Sequence, residues 1–368
     1  MNEDRTRSVH GHGDAARMLL AAARERFSIA ATDLLLPETA RLTEWQRHTA
    51  AALLSRLIRT IEDALRSDLV EHLGAYDALH ASFSSAHVPI AQPLLERAQV
   101  LRDPELSTVL VRRVEEHRFW KAQRDRGQEP DGLLRELIND ADADLAGEAM
   151  AALIARSRRF DRFGEPVFAR TDLPAELHHR LVWMVAAALR QYMVQQHAVP
   201  SREADGLIAD AAQRHLAGYD EGASLDAASM RLARRLAQLD RLDDALLERM
   251  LDDGMLPLFI AGVGARVGLT YESCWEVLSD PRGMGPAILL RAASFLRSRA
   301  TAIFLILNSR GRMFSGQEGD ATEYQLGIFD GTEEAHASDI LRLWRVDPGY
   351  RAAIARLSTR ARTIGEAA

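Results

Sequence analysis

The chain has 368 residues, 46 Lys plus Arg against 53 Asp plus Glu, and a formal net charge of −7. That length suits two domains or one long repeat array, and 47% apolar with 27% charged residues is ordinary for a protein with a large core that needs no staple. The single cysteine, Cys274, excludes a disulfide framework and any CxxC metal site, and a net negative charge argues against a nucleic-acid domain.

The cations are almost all arginine; Lys121 is the one lysine. GC-rich codon usage accounts for this without any functional reading. No apolar run reaches the length of a membrane span, the longest being 255–265 and 300–307. The polar start Met1-Asn2-Glu3-Asp4-Arg5 and the lack of a small-residue cleavage pattern after Met18–Ala23 argue against a secretory signal. The expected compartment is therefore the cytoplasm.

In chain order, residues 1–30 read as a flexible segment. Between Leu42 and Leu73 the apolar residues Leu53, Leu54, Leu57, Ile58, Ile61, Leu65 and Leu69 recur at spacings of three and four, predicting a helix. Arg56, Arg59, Glu62, Asp63 and Arg66 fall on its polar face. Asp103-Pro104-Glu105 predicts a helix start, with Asp as cap and Pro at the first helical position. Thr171-Asp172-Leu173-Pro174, Ser201-Arg202-Glu203 and Thr270-Tyr271-Glu272 predict three more. No alternation of period two is sustained anywhere, so the expected class is all-α. The segments beginning at Ile61, Ile90 and Leu145 share an aliphatic residue followed four positions later by a small or apolar one, and they start 29 and 55 residues apart. Such spacing suggests paired helices stacked as a HEAT-like repeat array, an α-solenoid. The expected organisation is HEAT-like repeats over 31–165, a more irregular second helical domain over 166–308, and a long loop (Ser309–Tyr324) with C-terminal helices over 309–368.

Two stretches imitate chemistry. Gly262, Gly264 and Gly268 resemble a dinucleotide fingerprint, but the spacing is GxGxxxG and Pro257 precedes it where a central strand would be needed. A helix-packing role is the expectation. His178 and His179 are adjacent, so on a helix they point about 100° apart and cannot share a metal. Cys274 sits beside Trp275, Val277 and Leu278, the surroundings of a buried inert thiol. The five tryptophans, Trp45, Trp120, Trp183, Trp275 and Trp344, read as helix–helix core. No catalytic residue, cofactor site or metal site is expected.

The most suggestive stretch runs from Arg156 to Arg170: Arg156-Ser157-Arg158-Arg159-Phe160-Asp161-Arg162-Phe163-Gly164-Glu165-Pro166, then Arg170. Arginine binds carboxylate or phosphate in a bidentate manner and stacks on aromatic rings. Arg158, Arg159, Arg162 and Arg170 are the candidate partner or anion surface. The bland reading is cations at a helix C-terminus with Phe160 and Phe163 packed beneath. A second basic segment, Arg351–Arg362, has only Ile354 and Leu357 as large apolar residues and reads as a solvated terminal helix.

Gly268-Leu269-Thr270-Tyr271-Glu272, Val277-Leu278-Ser279-Asp280 and Ile288-Leu289-Leu290-Arg291-Ala292-Ala293 resemble the pattern of a bacterial family catalogued as domain of unknown function 2336. Ile61–Leu73 and Pro93–Leu106 resemble its N-terminal half. The resemblance implies an all-helical, HEAT-like fold and carries no activity with it. The expected function is a non-catalytic cytoplasmic adaptor or regulator that binds a protein partner. The alternatives are a sensor of a small anionic ligand such as a nucleotide at the Arg156–Arg170 junction, and a HEAT-like nucleic-acid-processing enzyme. Homo-oligomerisation is left open.

Overall fold

The computed structural model describes residues 42–74, 76–85, 88–125, 131–169, 171–280, 283–311, 318–347, 349–351 and 353–354. Every regular element among them is helical. They are α1 (Glu44–Val70), α2 (Asp77–Ser84), α3 (Ala91–Arg97), α4 (Pro104–Arg124), α5 (Gly132–Ile138), α6 (Ala143–Ser157), α7 (Ala175–His197), α8 (Ser201–Ala217), α9 (Leu225–Gln238), α10 (Asp244–Asp252), α11 (Leu256–Val267), α12 (Tyr271–Leu278), α13 (Met284–Ala292), α14 (Arg297–Gly311), α15 (Glu318–Gly331) and α16 (Glu334–Leu341). Short 3-10 turns lie at Glu221–Ala223 and Arg342–Arg345. The single β-type pairing among the described residues is an isolated bridge between Phe160 and Pro166.

Two apolar cores organise these helices. The first takes Leu53–Leu69 of α1, Leu79 and Phe83 of α2, Leu95 of α3, Leu106–Val114 of α4, and the inward faces of α7 and α8. The second begins with Phe119 of α4 and continues through α5, α6 and α9 to α16. The chain thus leaves the first core for α5 and α6, returns to it for α7 and α8, and leaves again. A division at 165/166 does not separate the cores, because each one draws helices from both sides of it. The described residues from 45 onward hold together as one unit. The expected flexible segment 1–30 lies outside the described residues.

The local signals explain most helix starts. The Asp103 carboxylate accepts the N–H groups of Glu105 and Leu106, ahead of Pro104. Thr270 caps α12 by accepting from the Ser273 N–H. Gly268 ends α11 with φ +68°, a left-handed conformation that glycine adopts without penalty. Gly262 and Gly264 lie in the buried part of α11, where a Cβ at Gly262 would run into Leu247, so they serve helix packing.

Several expectations change. Glu62 and Arg66 are not on a solvated face; both are buried. Arg66 donates to Glu62 (3.1 Å) and to the carbonyls of Phe83 (3.0 Å) and Ser82 (2.7 Å). Glu62 accepts the N–H groups of Ile90 (2.9 Å) and Ala91 (3.0 Å) and so caps α3 from another helix. The helical wheel could not show this because the partners are backbone groups at the end of α2 and the start of α3. The segment Ser309–Tyr324 is not one long loop: α14 runs to Gly311 and α15 starts at Glu318. Trp275 is buried, whereas Trp45 at the start of α1 is 39% exposed. Most of the Arg351–Arg362 segment lies outside the described residues.

Candidate functional site

The arginine-rich stretch begins where α6 stops. Arg158 closes the helix, and the chain then doubles back on itself. The Asp161 carboxylate accepts the N–H groups of Phe163 and Glu165, both at 2.9 Å, and the Asp161 N–H donates to the Glu165 carbonyl. Val167 N–H donates to the Arg159 carbonyl, closing the loop beneath the Phe160–Pro166 bridge. Gly164 at the tip has φ +80° and lies so close to Trp120 and Arg124 that a Cβ would collide with the Arg124 guanidinium. Under the loop, Trp120 stacks on Phe160 with ring centroids 4.2 Å apart, and His117 packs beside both rings.

This geometry sorts the arginines into two sets. Inward, Arg159 is 2% exposed and reaches three carboxylates: Glu116 at 2.6 Å, Asp226 at 2.8 Å and Asp172 at 3.1 Å. Arg113 donates to Glu116 (3.1 Å) and to the Arg159 carbonyl (2.6 Å). Arg112 donates to Asp226 at 2.6 Å and lies over the Tyr271 ring. Three arginines and three acids from α4, α9 and the loop between α6 and α7 thus form a buried, charge-balanced network where the two cores meet. Arg156 is buried too, 2.8 Å from Asp131.

Burial opposes the charge on Arg159, but Asp172, Glu116 and Asp226 outweigh it and hold the guanidinium well above its ordinary value. Burial likewise pushes Asp226 up, and Arg159 and Arg112 more than offset it, so its carboxyl stays below the usual range. Arg113, buried and next to Arg159, is brought down to about 10 and remains a cation at neutral pH. His117 is lowered to about 4 by burial, then by Arg113 and Lys121, so its ring is neutral. The network borders a cavity of about 30 Å³, walled by Trp120, Phe160, Leu134 and Leu258. That space is of the size of one or two waters, and a nucleotide has no room in it.

Outward, Arg158 and Arg162 are exposed. The Arg162 guanidinium lies 4.6 Å from the ring centroid of Phe163, which is 70% exposed. Arg159 is therefore removed from the expected partner surface: burial and three carboxylates leave it no free face. Arg170 lies outside the described residues. The structure also adds Arg112, Arg113, Glu116 and Asp226, which sequence reasoning missed. The available signal was in α4, where Arg113 and Glu116 continue the inward row of Leu106, Val109 and Leu110 at helical spacing. Asp172, expected in a helix start, instead accepts from Arg159 and from the Ala169 N–H.

The remaining suspects are structural. Cys274 is buried and its thiol is pushed up to about 12 by burial, which makes it a poor nucleophile. His178 is buried against Tyr219, with ring centroids 4.8 Å apart. Among the described residues no group of three or more His, Cys, Asp or Glu side chains is placed to hold a metal ion, and no helix is long and apolar enough to cross a membrane.

Residues 90–342 match the model of a family described as uncharacterised proteins conserved in bacteria (DUF2336). The chain belongs to that family. The matched part holds the whole buried network and the Arg158–Pro166 loop, while α1 and α2 precede it. No curated protein and no solved structure matches the chain. The regular elements among the described residues of this DUF2336 member are all helical, and the family description brings no activity with it.

Proposed function

We propose that this protein is a non-catalytic adaptor or regulator of the cytoplasm that binds a protein partner through the outward side of the Arg158–Pro166 loop and the helices around it. The observation that carries this reading is Phe163. A phenylalanine 70% exposed, at the tip of a loop locked by Asp161 and roofed by Arg162, is a fixed apolar anchor with a cation on it. Aromatic and arginine side chains dominate the energetics of protein interfaces. Successive helices packed as hairpins, such as α5 with α6 and α7 with α8, support the HEAT-like element of the reading, in which a stacked helical surface serves as the binding face. The anion-sensor alternative loses support at the junction, because each inward arginine is matched by a carboxylate.

The test is affinity purification from the native cytoplasm at physiological salt, wild type beside the Arg162→Glu/Phe163→Ser double variant. Both positions are exposed, so folding should be unaffected. A single protein recovered in stoichiometric amount by the wild type and lost with the variant is the expected result. Equal recovery by both forms, or none by either, overturns the reading.

A further inference from the structure

The outward face of α6 is anomalous. Leu145, Ala149, Ala152 and Ala155 turn into the second core. A helix packed on one side ordinarily shows charged or polar residues on the other. Here the opposite stripe is Gly147, Met150 and Ile154, with Met150 42% and Ile154 46% exposed, and it ends in Arg158. Beside it lies a surface groove of about 430 Å³ between α6, the Glu221–Ala223 turn and α9. Its walls include Ala151, Ala155, Ala223 and Ala228, which are too short to fill it, and Ile154 lines it too.

The charges at its rim are unequal in their engagement. Arg231 donates to Glu148 (2.9 Å) and to the Gly222 carbonyl (2.8 Å), and the Asp220 carboxylate accepts the Gly222 N–H (2.9 Å). Arg158, also lining the groove, has no ion-pair or hydrogen-bond partner for its guanidinium among the described residues. An apolar trough with one unengaged arginine at its end complements an apolar ridge followed by a carboxylate. Open space at Gly147 lets a second backbone come close. No free sheet edge exists among the described residues for strand addition, and the trough runs between packed helices, which suits a helix. A single unengaged cation is too little for a polyanion or an anionic lipid surface.

We infer that the α6–α9 groove docks a short amphipathic helix of a partner protein, one that presents apolar residues at three- and four-residue spacing and an Asp or Glu to Arg158. This deepens the adaptor reading and rests on it.

The experiment is selection of random displayed peptides, long enough for four helical turns, on the immobilised full chain, with counter-selection on the Ile154→Asp variant. The affinities of the enriched peptides are then measured by fluorescence anisotropy on the wild type, Ile154→Asp, Arg158→Glu and Val88→Ser, each checked for wild-type helicity and melting temperature. The expected result is enrichment of amphipathic acidic sequences whose Kd rises about tenfold or more on Ile154→Asp and on Arg158→Glu. Replacing the peptide acid by Lys should restore binding to Arg158→Glu, and Val88→Ser, at an exposed position outside the groove, should leave binding unchanged. No enrichment over the counter-target, enrichment of basic sequences, or affinities indifferent to both groove variants overturns the inference. A native partner lost with the Phe163 variant while no peptide uses the groove leaves the adaptor standing and the groove refuted. A groove-binding peptide with no Phe163-dependent partner leaves the groove standing and refutes the role given to the loop.

Discussion

Arg159 and Arg158 are neighbours in sequence with opposite fates. Replacing Arg159 by Ala leaves Glu116, Asp172 and Asp226 buried around a missing cation, so the expected loss is about 3–5 kcal/mol, measured by urea denaturation. Arg158→Ala, on the exposed side, should stay within about 0.5 kcal/mol of the wild type. Equal effects would show that the inward network is not holding the junction. His117 sets a pH dependence. Its pKa falls from an ordinary value near 6.5 to about 4 in the folded protein, chiefly through burial. Between those values the unfolded chain holds a proton that the folded chain does not, so stability is full above about 6.5 and declines as pH falls toward 4. The contribution is up to about 3 kcal/mol. Urea midpoints for the wild type should therefore drop from pH 7 to pH 5, and His117→Phe should flatten that slope; an unchanged slope would refute the assignment. Below pH 4 the depressed Asp226 adds its own loss as it takes up a proton.

Among the elements, two glycines in helices give opposite expectations. Gly285 starts α13 against the end of α12, and a Cβ there would overlap the Val277 carbonyl oxygen. Backbone cannot step aside as a side-chain tip can, so Gly285→Ala should cost at least about 1–3 kcal/mol. Gly147 lies inside α6 with open space around it. Gly147→Ala should stabilise by about 0.5–1 kcal/mol through helix propensity alone. Thermal melts of the two variants check both, and a shared sign would contradict the packing described. Helix starts were legible where the cap is local, as at Asp103 and Thr270. They were illegible where the cap comes from elsewhere: α3 takes its cap from Glu62 of α1, and Asp172 abandons the start of α7 for Arg159.

At the scale of the molecule, α4 is one continuous helix whose first half packs in one core and whose Phe119 packs in the other. The ion network crosses at the same place. Such a joint should make the cores unfold together. Versions of the protein keeping only Trp183, which packs on the first core, or only Trp275, buried in the second, should report the same urea midpoint. Leu134→Ala, a truncation in the second core alone, should lower both midpoints together, at a cost of about 2–5 kcal/mol. Separate transitions would mean that the cores are independent.

What the amino-acid order determined by itself was local: the helical period, the caps with nearby partners, the glycines that demand close packing, the inert surroundings of Cys274, and the family resemblance. Those features depend on residues within a few positions of one another. The interleaving of the two cores, the inward turn of Arg159 and the outward turn of Arg158 were decided only in the tertiary structure. Adjacent residues at the end of a helix differ by about 100° in direction, and which direction is buried depends on Glu116, Asp172 and Asp226, set 43, 13 and 67 residues away.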